Sequence, residues 1–431
     1  MWMNRHAMQQ LIDWKNKPNR KPLILKGARQ VGKTWLMKEL GRTQFSKVAY
    51  VTFYNNQRMK KVFDDDYDIN RIIMNINIET RVEVTPGDTL IILDEIQEAP
   101  RAIESLKYFC ENAPEYAVIA AGSLLGVAIH RGVSFPVGKV DSLELHPMSF
   151  KEFLEAMGET TLAYLLDRND SQLIRDSQDK YIFWLKNYYY VGGMPEAVAF
   201  FSEHKDYTEV RNIQKSLLAQ YENDFGKHIE TSELARIRMV WNSIPMQLAK
   251  ENKKFFFGQI KTGARMKDYE IAIEWLLDCG LIKKVYRVSK PAVPLKAYID
   301  FSAFKLYLLD VGLLGALSEL DAASILEGNE IFTEFKGALT EQYVLQELIA
   351  ETEYTPYYYV SESGRYEIDF MLQKEKNIVP VEVKAETNLQ ARSLKAYYQK
   401  FAPEYAVRVS MMNHRQDDWV TNIPLYAVCS L

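Results

Sequence analysis

Short apolar runs that alternate with amphipathic segments mark the first third of the chain. Four runs predict buried strands and a shorter one indicates a fifth, at residues 22–25, 48–53, 89–93, 116–121 and 143–145. Continuous apolar strands separated by helical segments are typical of a parallel sheet that helices cover on both faces. We therefore expect an α/β domain with a parallel sheet in this part of the chain.

The middle of the chain, over residues 151–320, has mainly helical periodicity. Within it, a polar turn near residue 262 precedes a helical pattern at 269–277. Gly280 ends that pattern, and residues 281–286 have the composition of a strand. Helix, turn, helix and strand in this order predict a winged helix.

The C-terminal part of the chain changes pattern again. Its predicted order is helix, three strands, helix and strand, at 334–349, 357–360, 366–372, 378–384, 389–401 and 405–410. This αβββαβ order predicts a separate α/β domain. The predicted organisation has three parts: an N-terminal module with a helical extension, a helical and winged-helix region, and this last domain, at 1–205, 206–328 and 329–431.

Composition narrows the class of protein only slightly. The 431 residues suffice for roughly two to four domains, and 47% hydrophobic and 26% charged residues are ordinary for a globular protein. A formal net charge of −4 argues against a dedicated DNA packager but is compatible with a local basic groove.

Cysteine usage and hydropathy point to the cytoplasm. The three cysteines, Cys110, Cys279 and Cys429, are far apart, so they predict neither a zinc site nor a disulfide framework. The longest apolar stretch, 116–129, is shorter than the roughly 20 residues of a membrane helix. The first six residues lack the apolar core of a signal peptide. We expect a cytoplasmic protein without a membrane partner.

One motif in the N-terminal part carries specific chemistry. The segment after the first predicted strand matches GxxxxGK[ST], with Gly27, Ala28, Arg29, Gln30, Val31, Gly32, Lys33 and Thr34. Glycines allow such a loop to wrap phosphate oxygens with backbone N–H groups, and the following helix presents its N-terminal dipole to the anion. Lys33 would reach the β- and γ-phosphates, and the Thr34 hydroxyl would bind Mg²⁺. We predict an ATP site that also binds Mg²⁺.

Two later strand ends fit the same site. Asp94 and Glu95 follow the apolar run 89–93, where Asp94 would hold Mg²⁺ and Glu95 would act as general base toward the attacking water. Ser123 follows the next apolar strand and would hydrogen-bond the γ-phosphate or that water. The alternatives are a surface charge at Glu95 and an ordinary strand-to-loop turn at Ser123.

Three of these features together resemble a known family. The loop at 27–34, the strand end at 93–97 and the Gly122-Ser123 pair, in this order, resemble the AAA ATPase modules of bacterial and archaeal ATP-binding proteins. Residues 146–153 and 192–197 match further motifs of these proteins. The resemblance implies a sheet order of 5-1-4-3-2. It covers nearly the whole chain, because such proteins carry a second recognisable domain at the C-terminus.

One departure from the family concerns the arginine finger. Similar proteins often have a Gly-Arg pair where this chain has Gly138-Lys139. Lysine lacks the bidentate fork with which arginine binds phosphate. We therefore assign no arginine finger; Arg131 and Arg265 are candidates, for which an ordinary surface position is the simpler interpretation.

The C-terminal part contains acidic residues on strands that are otherwise apolar. Glu382 and Lys384 lie two positions apart on one strand and therefore face the same side, and Asp369 on the neighbouring strand can meet Glu382. Charged groups there are costly unless they are paired or bind metal, and two converging carboxylates suit Mg²⁺ or Mn²⁺. The alternative is a simple salt bridge between Glu382 and Lys384.

This arrangement resembles the PD-(D/E)xK nuclease superfamily. The resemblance implies that Asp369 and Glu382 bind the metal, that Glu341 is the acidic residue on the preceding helix, and that Lys384 orients or activates water. The tyrosines at 357–359 suggest base stacking, but packing in the core is the commoner role of aromatic residues on a strand.

Two hypotheses about function remain open at this point. The first is an Mg²⁺-dependent AAA ATPase that is coupled to a nuclease-like, DNA-interacting C-terminal domain. The second is a regulatory or signalling switch that does not cleave nucleic acid and uses ATP to change a protein partner. A peptide-remodelling ATPase is disfavoured because no pore-loop motif is evident. Assembly as a homo-oligomer is compatible with either hypothesis.

Overall fold

The computed structural model describes residues 4–123, 126, 134–226, 231–250, 252–328, 333–385 and 391–431. These residues form two compact units. The first unit comprises residues 4–146 together with 278–281, and the second comprises 147–277 and 282–431. In the parts of the chain so described, no helix combines the length and the apolar character that are required to cross a bilayer.

The first unit is built on a five-stranded sheet in which every recorded strand pair is parallel. The strands are β1 (Leu23–Lys26), β2 (Lys47–Thr52), β3 (Thr89–Asp94), β4 (Ala117–Ala121) and β5 (Asp141–Glu144). Their order is β2-β3-β4-β1-β5, which is the predicted order read from the opposite edge. The predicted parallel α/β P-loop fold is therefore confirmed.

Helices flank this sheet, as the apolar strands require. The described helices of the first unit are α1 (Ala7–Asn16), α2 (Lys33–Gln44), α3 (Gln57–Asp65), α4 (Ile69–Thr80) and α5 (Pro100–Asn112). Every residue of β3 and β4 is buried. Strands that are buried on both faces carry continuous apolar runs, which explains why they were readable in the sequence.

The second unit begins with helices and continues into a second sheet. Its described helices are α6 (Phe150–Ala156), α7 (Thr160–Arg168), α8 (Ser171–Asp176), α9 (Gln178–Val191), α10 (Pro195–His204), α11 (Tyr207–Asp224), α12 (Thr231–Leu248), α13 (Phe257–Ile260), α14 (Glu270–Asp278), α15 (Val311–Leu317), α16 (Thr333–Glu351) and α17 (Arg392–Phe401).

Its strands are β6 (Ile282–Val288), β7 (Ile299–Leu308), β8 (Tyr357–Val360), β9 (Glu367–Lys374), β10 (Asn377–Val383), β11 (Val407–Ser410), β12 (Arg415–Gln416) and β13 (Thr421–Pro424). They form one sheet in the order β12-β13-β11-β10-β9-β8-β6-β7. From α16 to β11 the elements follow the predicted αβββαβ order, and the last two strands were not predicted.

Strand pairing joins two segments that the sequence suggested were separate. The hairpin β6–β7 belongs to the predicted middle region, yet β6 pairs in parallel with β8 through Arg287↔Tyr358 and Val288↔Tyr359. The boundary expected at residue 328 therefore does not separate two sheets. Local periodicity identifies a strand but not a distant pairing partner, which is why the shared sheet was not foreseen.

Packing also accounts for the two motifs at 146–153 and 192–197. Ser149 and Glu152 form a capping box at the start of α6. A side chain at Gly193 would place its Cβ 2.1 Å from the Met148 carbonyl oxygen, and the Gly193 N–H donates to the buried Asp310 carboxylate at 2.6 Å. In this structure both motifs hold the helices of the second unit together.

Candidate nucleotide site and carboxylate centre

The loop between β1 and α2 has the backbone shape that the motif requires. Gly27, Gln30 and Gly32 have positive φ angles of 139°, 66° and 95°. A Cβ at Gly27 would lie 2.3 Å from the Leu145 carbonyl oxygen, so only glycine fits there. The helix α2 begins at Lys33, directly after the loop.

The Lys33 ammonium lies inside this loop. Its Nζ donates to the carbonyl oxygens of Gly27 at 2.9 Å and Ala28 at 2.7 Å. Burial lowers the pKa of Lys33 to about 8, although Glu95 and Asp94 partly counteract the effect of burial. A buried cation next to backbone N–H groups is suited to bind polyphosphate.

The end of β3 brings Asp94 to the first residues of α2. Thr34 Oγ1 donates to Asp94 Oδ2 at 2.8 Å, so the two groups predicted to bind Mg²⁺ are in direct contact. Tyr50 on β2 also donates its hydroxyl to Asp94 Oδ2, at 2.9 Å. Burial and the neighbouring Asp94 raise the pKa of Tyr50, so it stays a neutral donor. Tyr50 was not predicted from the sequence, in which it is only one polar hydroxyl in an apolar strand.

Glu95 occupies a turn that redirects the chain after β3. Its φ angle is +53°, in the left-handed region, and its N–H donates to Asp94 Oδ1 at 3.0 Å. The side chain accepts a hydrogen bond from the Gln97 amide. A non-glycine residue with left-handed backbone is often found at functional sites. The side chain lies close enough to Lys33 to raise the pKa of that lysine.

Ser123 supplies an unsatisfied hydroxyl at the neighbouring strand end. It follows β4, which pairs directly with β1 and thus with the strand that leads into the P-loop. Its side chain is buried, with 5% of the residue exposed, and Oγ has no hydrogen-bond partner in the described structure. Buried hydroxyls are nearly always paired, so this hydroxyl is free to donate to a ligand at the strand end.

Arg5, which was also not predicted from the sequence, contacts the P-loop through the Val31 carbonyl. Arg5 is 5% exposed and donates to the carbonyl oxygens of Val31 at 2.8 Å and His146 at 2.7 Å. The guanidinium connects the P-loop at Val31 to His146, which lies two residues after the end of β5. Nothing in the local sequence around Arg5 marks this role, because both partners are distant along the chain.

None of the three positions considered for an arginine finger is assigned that role. Lys139 forms an ion pair with Glu111 at 2.9 Å. Arg265 is exposed and lies in the second unit. Arg131 falls outside the described residues.

Comparison with protein families bears on this geometry. Residues 19–154 match the model of an AAA domain. The N-terminal segment is therefore similar in sequence to AAA domains, and it has the parallel α/β sheet of a P-loop fold. This fold implies nucleotide binding, typically with Mg²⁺. The Thr34–Asp94 contact and the unpaired Ser123 hydroxyl are the features that such a ligand would need. All of the predicted nucleotide residues fall within the matched segment, and their roles stay a prediction.

Two further segments of the chain match families whose function is unknown. Residues 182–324 and 336–428 match two domains of unknown function, DUF8612 and DUF4143. No curated protein matches the chain.

Several solved structures are similar to this chain. The Walker-type ATPase PABY2304 of Pyrococcus abyssi has 11% identity and a TM-score of 0.47, covering 74% of this chain and 96% of that one. The RuvB Holliday junction branch migration motor of Thermotoga maritima has 13% identity and a TM-score of 0.31, covering 69% of this chain and 94% of that one. The ORC1 protein of Aeropyrum pernix in complex with DNA has 16% identity and a TM-score of 0.25, covering 74% of this chain and 93% of that one.

The acidic residues of the C-terminal part form a second cluster, here called the carboxylate centre, which consists of Glu341, Asp369 and Glu382. Glu341 on α16 is buried, and it accepts hydrogen bonds from Lys253 and, at 3.1 Å, from the Tyr307 hydroxyl. Burial raises the pKa of Glu341, but the two lysines Lys253 and Lys305 outweigh burial and hold this pKa below its usual range.

The other two carboxylates behave differently. Asp369 Oδ2 accepts the Val383 N–H at 2.7 Å, and burial together with Glu341 and Glu382 raises the pKa of Asp369 well above its usual value. Glu382 is buried, its Oε1 lies 2.7 Å from Lys384 Nζ, and its Oε2 has no hydrogen-bond partner in the described structure. Burial also raises the pKa of Glu382.

The structure therefore brings the predicted residues together, but not as a ready set of metal ligands. In the described part of the chain, no three His, Cys, Asp or Glu side chains are arranged to hold a metal ion. The predicted metal role of Glu341, Asp369 and Glu382 stays a prediction. The tyrosines at 357–359 are all buried, which leaves no exposed ring for base stacking.

Proposed function

We propose that this chain is an Mg²⁺-dependent ATPase of the AAA class. The observation that carries the proposal is the buried, unpaired hydroxyl of Ser123 at the strand end beside the P-loop strand. Lys33 and Thr34 begin α2, directly after the loop that follows β1, and Asp94 and Glu95 stand at the end of β3. Ligands of open α/β sheets bind at the carboxyl ends of the strands, where these groups stand.

Each residue has a role in this reaction that follows from its position. The loop N–H groups and the Lys33 ammonium bind the β- and γ-phosphates and neutralise their charge. Thr34 and Asp94 would hold Mg²⁺, which would neutralise phosphate charge. Glu95 accepts a proton from the attacking water as the bond between the γ-phosphorus and the ADP oxygen breaks. The Ser123 hydroxyl donates to the γ-phosphate or orients that water.

Substitution of Ser123 by Ala tests this proposal. Because hydrogen bonds to charged groups are worth about 1.5–3 kcal/mol, the turnover number for ATP should fall roughly 10- to 100-fold while ATP affinity changes little. The measurement is phosphate release under saturating ATP. Ser105→Ala is the matched control, since Ser105 is a buried serine on α5 whose hydroxyl bonds the Ala102 carbonyl instead. Equal turnover in Ser123→Ala and the parent protein would remove Ser123 from the site.

The second unit supports a further, more specific proposal. We infer that the C-terminal domain is nuclease-like and interacts with DNA through a metal-dependent centre formed by Glu341, Asp369 and Glu382, with Lys384 acting on water. The αβββαβ order and the unpaired Oε2 of buried Glu382 favour it. Helices α12, α13 and α14, followed by the β6–β7 hairpin, are consistent with a winged helix.

Substitution of Asp369 by Asn tests the metal-dependent centre. We expect it to abolish Mg²⁺- or Mn²⁺-dependent nicking of plasmid DNA and to leave ATP turnover unchanged, because the P-loop belongs to the first unit. Lys384→Met should abolish nicking but retain the metal. Nicking that is equal in the parent protein and Asp369→Asn would contradict the assignment. No nicking by the parent, with or without ATP, would favour the alternative of a non-cleaving ATP-dependent switch that binds a protein partner.

A further inference from the structure

Glu341 is held by two lysines that lie outside the C-terminal domain. Lys253 follows α12 and donates to Glu341 Oε1. Lys305 on β7 lies 3.7 Å from Glu341 Oε2, which also accepts the Tyr307 hydroxyl. Both oxygens of this carboxylate are therefore engaged by donors from the middle of the chain.

The two lysines have different surroundings. Lys305 is fully buried, lies 2.5 Å from Glu367 and stands over the ring of Tyr358 at 4.9 Å. It is fixed in the sheet by several contacts. Lys253 lies in the connection between α12 and α13, its side chain is 11% exposed, and its recorded ion pair is with Glu341. Of the two, Lys253 is the side chain that can leave without disrupting a strand.

The carboxylate centre also contains an oxygen atom that no donor among the described residues satisfies. The three carboxylates of the centre have Glu367 as a further acidic neighbour, and the nearby ammonium groups are those of Lys253, Lys305 and Lys384. Glu382 is 4% exposed, and its Oε2 atom has no hydrogen-bond partner in the described structure. A buried carboxylate oxygen without a donor is costly, so the centre holds one acceptor that a cation would satisfy.

A divalent cation and the Lys253 ammonium compete for the same carboxylate. Mg²⁺ and Mn²⁺ bind through carboxylate oxygens, and Lys253 already occupies Oε1 of Glu341. Two cations that share one oxygen in a buried site repel each other strongly, because the low dielectric of the interior weakens screening.

We propose that Lys253 is a resident counter-ion that blocks divalent-cation binding at the carboxylate centre. The centre accepts Mg²⁺ or Mn²⁺ only when the Lys253 side chain leaves Glu341. This inference rests on the proposed metal-binding function of the C-terminal domain and adds its regulation.

The test is a Mn²⁺ titration of the full-length protein without nucleotide, followed by electron paramagnetic resonance. The full chain is needed because Lys253, Lys305 and the strands β6 and β7 lie outside the C-terminal segment. We expect Lys253→Met to gain a Mn²⁺ site that binds roughly tenfold or more tightly than any Asp369-dependent site of the parent protein. Adding Asp369→Asn to Lys253→Met should remove this site, which separates it from Mn²⁺ at the P-loop.

Two matched variants and a second measurement complete the design. Lys253→Arg keeps the charge and should stay blocked, and Lys254→Met changes the adjacent lysine and should behave like the parent protein. Lys253→Met leaves Glu341 Oε1 without its donor, so the melting temperature of the variant should fall and Mn²⁺ should restore part of the loss. The melting curves also show whether each variant is folded.

The outcomes distinguish the two proposals. If the parent protein and Lys253→Met bind Mn²⁺ equally, and both lose it with Asp369→Asn, the metal centre stands and the blocking role of Lys253 is wrong. If folded Lys253→Met gains no Asp369-dependent site and no thermal protection, the centre is not a metal site and both proposals fail. If Lys253→Arg gains the same Mn²⁺ site as Lys253→Met, the blocking role of Lys253 is also wrong.

Discussion

Lys33→Ala is expected to abolish tight ATP binding. Lys33 is the lysine of the P-loop, and its ammonium is buried against the loop carbonyls of Gly27 and Ala28. Charge-assisted hydrogen bonds to a buried anion are worth about 1.5–3 kcal/mol each, so affinity should fall by roughly 10- to 100-fold or more. Isothermal titration with ATP and Mg²⁺ measures the change.

A control on the same sheet separates this effect from the loss of a positive charge alone. Lys47 begins β2, at the strand end opposite the P-loop, so Lys47→Ala should bind ATP like the parent protein. Equal ATP affinity in Lys33→Ala and the parent would show that the nucleotide site has been assigned wrongly.

The pKa of Lys33 gives the same prediction a second measurement. Burial lowers the pKa of Lys33 to about 8 in the nucleotide-free loop. A bound phosphate favours the protonated form and raises that pKa, so binding is strongest below about pH 8 and weakens as the pH rises through this value. Lys33→Ala should not show this pH dependence of ATP affinity.

The residues of the candidate nucleotide site could be selected from the sequence because their signals are local. The loop residues 27–34 are consecutive, and Asp94, Glu95 and Ser123 each follow a continuous apolar strand that reads clearly in the sequence. Once the parallel sheet is recognised, those strand ends must meet at one edge. Tyr50 and Arg5 act at the same place but depend on tertiary contacts with Asp94, Val31 and His146, which no local pattern encodes.

The second unit shows the opposite case. The element order α16 to β11 followed from periodicity, because each helix and strand has its own pattern. The environment of Glu341 could not be predicted from periodicity, because Lys253 and Lys305 precede it by 88 and 36 residues. Sequence spacing suggested three acidic residues and one lysine, whereas the folded chain adds two further lysines to that group. A motif identifies the residues that meet, but their charge balance depends on the surrounding strands.

Glu95→Gln is expected to separate nucleotide binding from hydrolysis. The amide keeps the shape of the side chain, and an oxygen remains that can accept from Gln97, so the left-handed turn after β3 should persist. Asp94 keeps its contact with Thr34, and ATP affinity should stay within a few-fold of the parent value. What is lost is the carboxylate that accepts the proton of the attacking water.

General-base catalysis contributes roughly 10²- to 10⁴-fold, so turnover of Glu95→Gln should fall by about 10²-fold or more. Single-turnover phosphate release, measured beside ATP affinity, isolates the chemical step. Glu98→Gln is the matched control, because Glu98 lies three positions further along and pairs with Lys60 at 3.1 Å. If phosphate release by Glu95→Gln equals that of Glu98→Gln, another group takes the proton and Glu95 serves only to shape the turn. A fall in both binding and turnover would instead mean that Glu95 holds the nucleotide or its metal.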